Sequence, residues 1–548
     1  MKRLATAFCA LLVCAAASAD SKKALVVDAD SKSIAVIDLA GGTVGQRVTL
    51  SDTPHRAILS ADGKRIAVLS RGEGSTSFWT SHFNPTSKSA VALIDAVSMK
   101  AIVRTELGWD LGRAAFSSDG SVLTVLTPGV VSNKPTEVKP AEMIRVNAKT
   151  GEIMKRAELE RAAESFELSS NGATGAIFFK STKEKPAEVR LIDVATLQPI
   201  STIPLSANTD APVALIKDQL YLVDKKGKMY VVSLADRNLA ATLDIGDRAV
   251  VGAVDPDRGN IYLINGNDEF RIVNGVTLSA PVKVAKNPVA VRFSDDKKTA
   301  YIISNEFVTA VDLANMSAST PIEVRRMASD FIASPDGRRG FVLHRSEQSC
   351  CYATVVDLPN HANMKSFITG SKGARIAQGL AAAAATAASY SSGRSGALAH
   401  GGGTFSYSVY TPRVGSAARG PLAVRRDGKF AYVLDVQTND VTLIDGESGE
   451  RLQNIRVGGG GKELVWLANS RYLAAVSDES VSLIDTDANQ QKAEIKLAGD
   501  VTDFLLSPKG DYAAVIGKGT IAVIDARTAS QVATFEAFKR PLQFIFLD

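Results

Sequence analysis

The feature that most constrains this chain is a short apolar strand ending in an Asp-like residue, which returns again and again. It reads Ile34–Asp38, Val91–Asp95, Met143–Asn147, Val189–Asp193, Met229–Ser233 and Phe270–Asn274. It continues as Val308–Asp312, Ala353–Asp357, Val441–Asp445, Val481–Asp485 and Ile521–Asp525. The final residues of these eleven copies are spaced by 57, 52, 46, 40, 41, 38, 45, 88, 40 and 40 residues. A second element precedes most copies, a turn between two apolar runs. Examples are Asp62-Gly63 before Ile66–Leu69, Asp119-Gly120 before Val122–Leu126, and the turns at Asp336-Gly337, Asp427-Gly428 and Lys509-Gly510. Asp-Gly between apolar runs signals a tight hairpin, because Gly accepts positive φ and Asp bonds its own turn. Four strands in about 40–45 residues make one propeller blade. A single such sheet cannot bury both faces, so blades must stack around an axis. A sandwich has no repeat of this length, a β-helix repeats at a shorter period, and a helical solenoid needs 3.6-residue periodicity, which is absent.

The fold class expected is therefore all-β, a β-propeller of about eleven four-stranded units. Lys23–Asp28 matches the strand after an Asp-Gly hairpin, and Pro541–Asp548 matches the strand before one. The two should share a blade and close a ring without an open edge. Rings of about 4–8 blades are usual, so eleven units predict two rings. In chain order, repeats one to seven occupy residues 20–345. Residues 346–420 hold repeat eight, a Cys-Cys pair and an insertion, and residues 421–548 hold repeats nine to eleven and the closing strand.

Phe430-Ala-Tyr-Val-Leu-Asp435 followed by Asn439 and Val441-Thr-Leu-Ile-Asp445 resembles the YVTN-type β-propeller repeat of bacteria and archaea. Ala24–Asp38 and Tyr301–Asp312 fit the same pattern, and the resemblance is loosest over residues 95–274. It implies an exported propeller used for binding, with no universal catalytic residue to carry over.

Composition narrows the class. Of 548 residues, 45% are hydrophobic and 22% charged, which is too apolar for a disordered chain. The formal charge of +5 is well mixed, which argues against a polybasic nucleic-acid binder. Met1-Lys2-Arg3, the apolar run Leu4–Ala17 and Ala17-Ser18-Ala19 match a secretory signal peptide over residues 1–19. The run is too short to span a bilayer, which takes about 20 residues. Val13 ahead of Cys14 does not suit a lipoprotein signal. Cleavage would lower the charge to +3 and leave Cys350 and Cys351 as the mature cysteines. The chain is thus expected to be periplasmic or secreted, without a transmembrane segment once mature.

Candidate sites follow from departures from the repeat. Cys350 and Cys351 are adjacent, so a local vicinal disulfide, an intermolecular link or a metal or redox site are the alternatives. His344 and His361 flank them and complete the candidate metal set, while Met364 and His400 add soft and imidazole ligands nearby. No cofactor is expected apart from such a metal. His55 sits where a unit enters its first strand, a channel-mouth position. Trp79, His82 and Phe83 fall in an aromatic loop suited to recognition. Asp28–Ser33 and Asp255–Asn260 lack the full oxygen series calcium needs and read as turns. Gly458–Gly461 lacks phosphate-loop spacing. Residues 371–419 are rich in Ala, Gly and Ser and read as a surface insertion, a binding loop or lid, or a degenerate blade. These features predict a non-enzymatic binding or scaffold protein with an envelope or extracellular protein partner and no nucleic acid. The alternatives are a hydrolase of propeller-lactonase type with a channel site, and a periplasmic metal or redox protein.

Overall fold

The computed structural model describes residues 23–76, 83–129, 140–210, 212–345, 350–370, 420–467 and 471–547. For residues 75–76, 83–85, 345 and 350–351 it describes only the backbone path. The signal segment 1–19, Trp79, His82, His400 and the segment 371–419 lie outside the described residues.

All regular structure described is β-strand. Eleven sheets form, each with an inner, a second, a third and an outer strand. In blade 2 these are Pro54–Leu59, Arg65–Ser70, Ala90–Asp95 and Lys100–Glu106. All eleven residues that end the repeated motif end a third strand. In blades 6 and 7 the outer strand is broken in two, Thr277–Leu278 with Val282–Lys283 and Ser317–Ala318 with Ile322–Glu323. Blade 1 takes its inner strand, Pro541–Leu547, from the far end of the chain, paired antiparallel to Lys23–Asp28.

Strand chemistry follows position. The second strand Thr174–Phe179 is buried at every residue, because a blade lies on each of its faces. The outer strand Lys100–Glu106 is mostly exposed and carries alternating polar residues. The packing that joins blades recurs. Tyr262 of blade 6 meets Phe293 of blade 7 at 4.6 Å, and Tyr301 meets Phe331 of blade 8 at 4.7 Å. Tyr432 of blade 9 meets Trp466 of blade 10 edge-on at 5.8 Å. Each such pair contributes about 0.5–1.5 kcal/mol beyond its area burial.

The expectation of two rings is not met. Each hydrophobic cluster joins a blade to its chain neighbour, as between blades 1 and 2 and blades 2 and 3. The last cluster joins blade 11 to blade 1 through Ala514, Val523, Ala24, Val26 and Ile37. The eleven clusters therefore close one ring of eleven blades. Each blade turns by roughly 33° from its neighbour, against roughly 45° in an eight-bladed ring. Ring size is set by this small wedge angle, which no single repeat encodes.

Candidate functional site

The topology sorts the connections onto two faces. Strands alternate in direction within a blade, so inner-to-second and third-to-outer turns lie on one face. Second-to-third turns and the links to the next blade lie on the other.

The first face carries the shorter turns. In the inner-to-second hairpins of blades 2, 3 and 8, a Ser hydroxyl donates to the Asp carboxylate two residues on. Ser60 bonds Asp62 at 2.6 Å and Ser334 bonds Asp336 at 2.6 Å. The following Gly is left-handed, with φ 68° at Gly63 and 69° at Gly337. The repeat-final carboxylates accept the N–H groups of their own turns, as Asp445 does from Glu447 and Ser448 and Asp525 from Arg527 and Thr528. The bond from Ser448 N–H leads in holding the Asp445 carboxyl below the ordinary carboxylate range. Asp119 is lowered to about 2, chiefly by the Ser117 hydroxyl.

The second face carries the irregular segments. Blades 2, 3 and 4 have long second-to-third connections, residues 71–89, 128–140 and 180–187. The connection in blade 2 includes the small hairpin Gly74–Thr76 and Phe83–Pro85. The other long interval is the link from blade 8 to blade 9, between Ile368 and Leu422. That link is fixed at both ends. The Thr369 hydroxyl donates to the buried Asp435 at 2.9 Å, and Gly370 N–H donates to Thr442 Oγ1 at 2.8 Å. At the other end, Leu464 N–H of blade 10 donates to Gly420 O at 2.7 Å.

The channel wall begins at this face. Six inner strands carry a bulge near their start, which skips His55, Gly252, Val289, Ser329, Thr502 and Leu542. A bulge adds one residue to a strand and re-aims it. His55, Val289, Thr502 and Leu542 are exposed there. Adjacent inner strands are stitched together by side chains. Gln543 caps Ala57 with its carbonyl at 2.7 Å and its amide at 3.2 Å. Arg292 pairs with Asp330 at 2.8 Å, and Arg113 pairs with Glu167. Burial in the wall raises the Glu167 carboxyl, although Arg113 works to lower it.

His55 has company that its sequence neighbourhood does not reveal. Arg71, at the end of the second strand, forms a two-pronged pair with Asp110 at 2.5 and 3.0 Å. Asp110 also accepts Leu111 N–H at 2.7 Å and holds a left-handed φ of 59°. His55 is exposed as a residue, yet the wall around it desolvates the ring and lowers its pKa. Arg71 and Arg56 lower it further, and Asp110 opposes them. The imidazole is neutral at pH 7 and sits beside a cation–carboxylate pair at the channel mouth.

Of the candidate metal residues, His344 and His361 lie on opposite faces of the ring. His344 is 3% exposed. Its Nδ1 faces Arg326 O at 3.2 Å and its Nε2 faces Thr354 Oγ1 at 2.8 Å. A carbonyl can only accept, so Nδ1 carries the proton and Nε2 accepts from Thr354. Thr354 in turn lies 2.8 Å from Ser366 Oγ. Burial lowers the His344 pKa to about 4. His361 is exposed, in the third-to-outer turn on the opposite face. His344 is paired with Tyr352, and the turn follows Asp357, so about five residues of strand, roughly 17 Å, separate the two histidines. Cys350 and Cys351 start the third strand of blade 8 on the His344 side, with Cys351 in a bulge. Their side chains are outside the described set, as is that of Phe83. No group of three or more His, Cys, Asp or Glu able to hold a metal occurs among the described residues.

The two sequence stretches read as turns serve as turns. Asp28 is fully buried and accepts Lys539 N–H and Arg540 N–H at 2.9 and 2.8 Å and the Ser31 hydroxyl at 2.6 Å, which latches the closing strand. Asp255 accepts Arg258 N–H at 3.2 Å and pairs with Lys297 at 3.3 Å.

No protein-family model matches the chain, and no curated protein matches it. Solved structures do. A hydrazine synthase from Kuenenia stuttgartiensis is 14% identical, with a TM-score of 0.33, over 57% of this chain and 93% of that one. A eukaryotic initiation factor is 13% identical, with a TM-score of 0.36, over 64% of this chain and 89% of that one. The dihydro-heme d1 dehydrogenase NirN in complex with DHE is 14% identical, with a TM-score of 0.33, over 83% of this chain and 72% of that one. At this distance none of them bears on activity.

Proposed function

We propose that this chain is an exported propeller of the YVTN repeat type that binds an envelope or extracellular protein without catalysing a reaction. Binding uses the face that carries the long connections. One observation carries this reading: all the long connections leave the same face, clustered over blades 2–4 and at blades 8–9. Loops that vary over a rigid scaffold are where recognition residues concentrate. The YVTN assignment is supported by the turn before Val441, where Asn439 adopts φ 55° and Asp435 accepts Thr438 N–H at 3.1 Å.

A lactonase-like centre on the axis has less support. Eleven sheets stacked about 10 Å apart have a mid-blade radius of about 17 Å. Their inner strands, about 7 Å further in, leave the walls roughly 20 Å apart. Opposite walls cannot share one metal ion, and Arg113–Glu167 and Arg292–Asp330 pair locally.

The test is capture of partners from the envelope by three forms of the protein. These are wild type, a form with 371–419 replaced by a short Gly/Ser linker, and Arg71→Ala. A matched control carries Lys298→Ala on the hairpin face. Loss of a partner in either second-face variant, with the control unaffected, supports the reading. Undiminished capture by both variants overturns it.

A further inference from the structure

One position breaks the repeat in a way that points to a ligand. Two residues before the repeat-final residue, the third strand faces the second strand across the sheet. In ten blades this cross-strand pair is apolar or aromatic, as in Leu25–Val36, Tyr262–Ile272, Tyr432–Leu443 and Ala514–Val523. In blade 3 alone it is Thr124–Arg145. Arg145 therefore sends a guanidinium into the layer between blades 3 and 4, where every other blade places hydrocarbon.

The cation is incompletely satisfied there. Nη1 donates to Ala195 O of blade 4 at 2.6 Å. Nε is buried without a hydrogen-bond partner, and no carboxylate pairs with Arg145 among the described residues. A buried N–H of a charged group left without an acceptor is unfavourable. Beside it is a cavity of about 140 Å³ that Thr124, Arg145, Asn171 and Gly172 help to line, several times the ~30 Å³ share of one liquid water. The acidic residue at its edge, Asp193, turns Oδ1 to Thr196 N–H and Oγ1, both at 2.7 Å.

We infer that this cavity, on the hairpin face between blades 3 and 4, binds the anionic oxygens of a small oxyanion or carboxylate, with Arg145 as the charged anchor and Thr124 beside it. Guanidinium N–H groups suit both ligand types, since each offers two oxygens in one plane. The site is separate from the face proposed for partner binding.

The test is thermal unfolding of the whole protein in chloride, then with inorganic phosphate or acetate replacing chloride at constant ionic strength. Wild type should show a saturable rise in Tm with at least one anion. Arg145→Leu should fold, because Leu93, Leu191, Leu443 and Leu483 hold the same place in other blades, and it should lose the rise. Thr124→Val should show a smaller rise than wild type. A larger response to phosphate assigns a tetrahedral oxyanion, and a larger response to acetate assigns a carboxylate. No saturable rise in wild type, or an equal rise in Arg145→Leu, overturns the inference.

Discussion

The hairpin face and the opposite face come from the same eleven units, yet they obey different rules. On the hairpin face the Ser-to-Asp bond and the left-handed Gly recur with nearly the same geometry, as at Ser60-Asp62-Gly63 and Ser334-Asp336-Gly337. The bonds that shape these turns lie within a few residues, and a few cross to the next blade, as from Asp255 to Lys297 and from Ser170 to Asp218. On the opposite face the stabilising contacts reach far along the chain. Asp28 holds Lys539 and Arg540, and Arg71 holds Asp110. Local turns can be copied from unit to unit without consequence for the rest of the ring. Long-range anchors cannot, so that face tolerates variation only between them. The comparison teaches that repetition fixes the scaffold on one side and leaves the other free to vary in the length of its connections.

The comparison can be broken first at the anchors. Asp28→Ala removes a buried carboxylate that accepts two N–H groups of the closing segment and the Ser31 hydroxyl. It should cost about 3 kcal/mol, read as a lower urea midpoint. A loss below about 0.5 kcal/mol, the scale of an ordinary surface change, would show that the latch does not hold the ring shut. A second effect separates the faces by pH. His344 is buried neutral, with its pKa lowered to about 4. The unfolded chain therefore binds this proton more readily, and stability is full above about pH 6.5 and lost as pH falls toward 4. That loss should be roughly 2–3 kcal/mol, and His344→Gln should flatten it. A second loss should follow below about pH 4, as depressed turn carboxyls such as Asp119 protonate. An unchanged slope in His344→Gln would remove the His344 assignment. The smallest effect probes one hairpin. A Cβ at Gly337 would meet nothing within 4 Å, so Gly337→Ala tests backbone strain alone and should cost about 1 kcal/mol. A neutral result would mean that the turn relaxes out of the left-handed region.

Much of this architecture was legible in the sequence because it is local. The motif ending in Asp38, Asp95 or Asp525 needs only its own turn to explain it, and the structure puts every copy at the end of a third strand. The shared closing blade was legible too, since Lys23–Asp28 and Pro541–Leu547 each lack what the other supplies. Ring size was not. It depends on a small angle at every interblade layer, summed around the axis, and no unit states it. The channel-mouth group was hidden for a related reason. His55 stands out as a histidine at a strand start, but Arg71 and Asp110 lie 39 residues apart in sequence. Arg145 was in plain view within its motif, but only the fold shows that its place faces the layer between blades 3 and 4.

The whole account rests on one closed ring of eleven blades. Electron micrographs of the purified protein viewed down the axis test this most directly. The account predicts top views with eleven spokes around a single open channel. Two smaller rings side by side, or one ring with a different number of spokes, would contradict it.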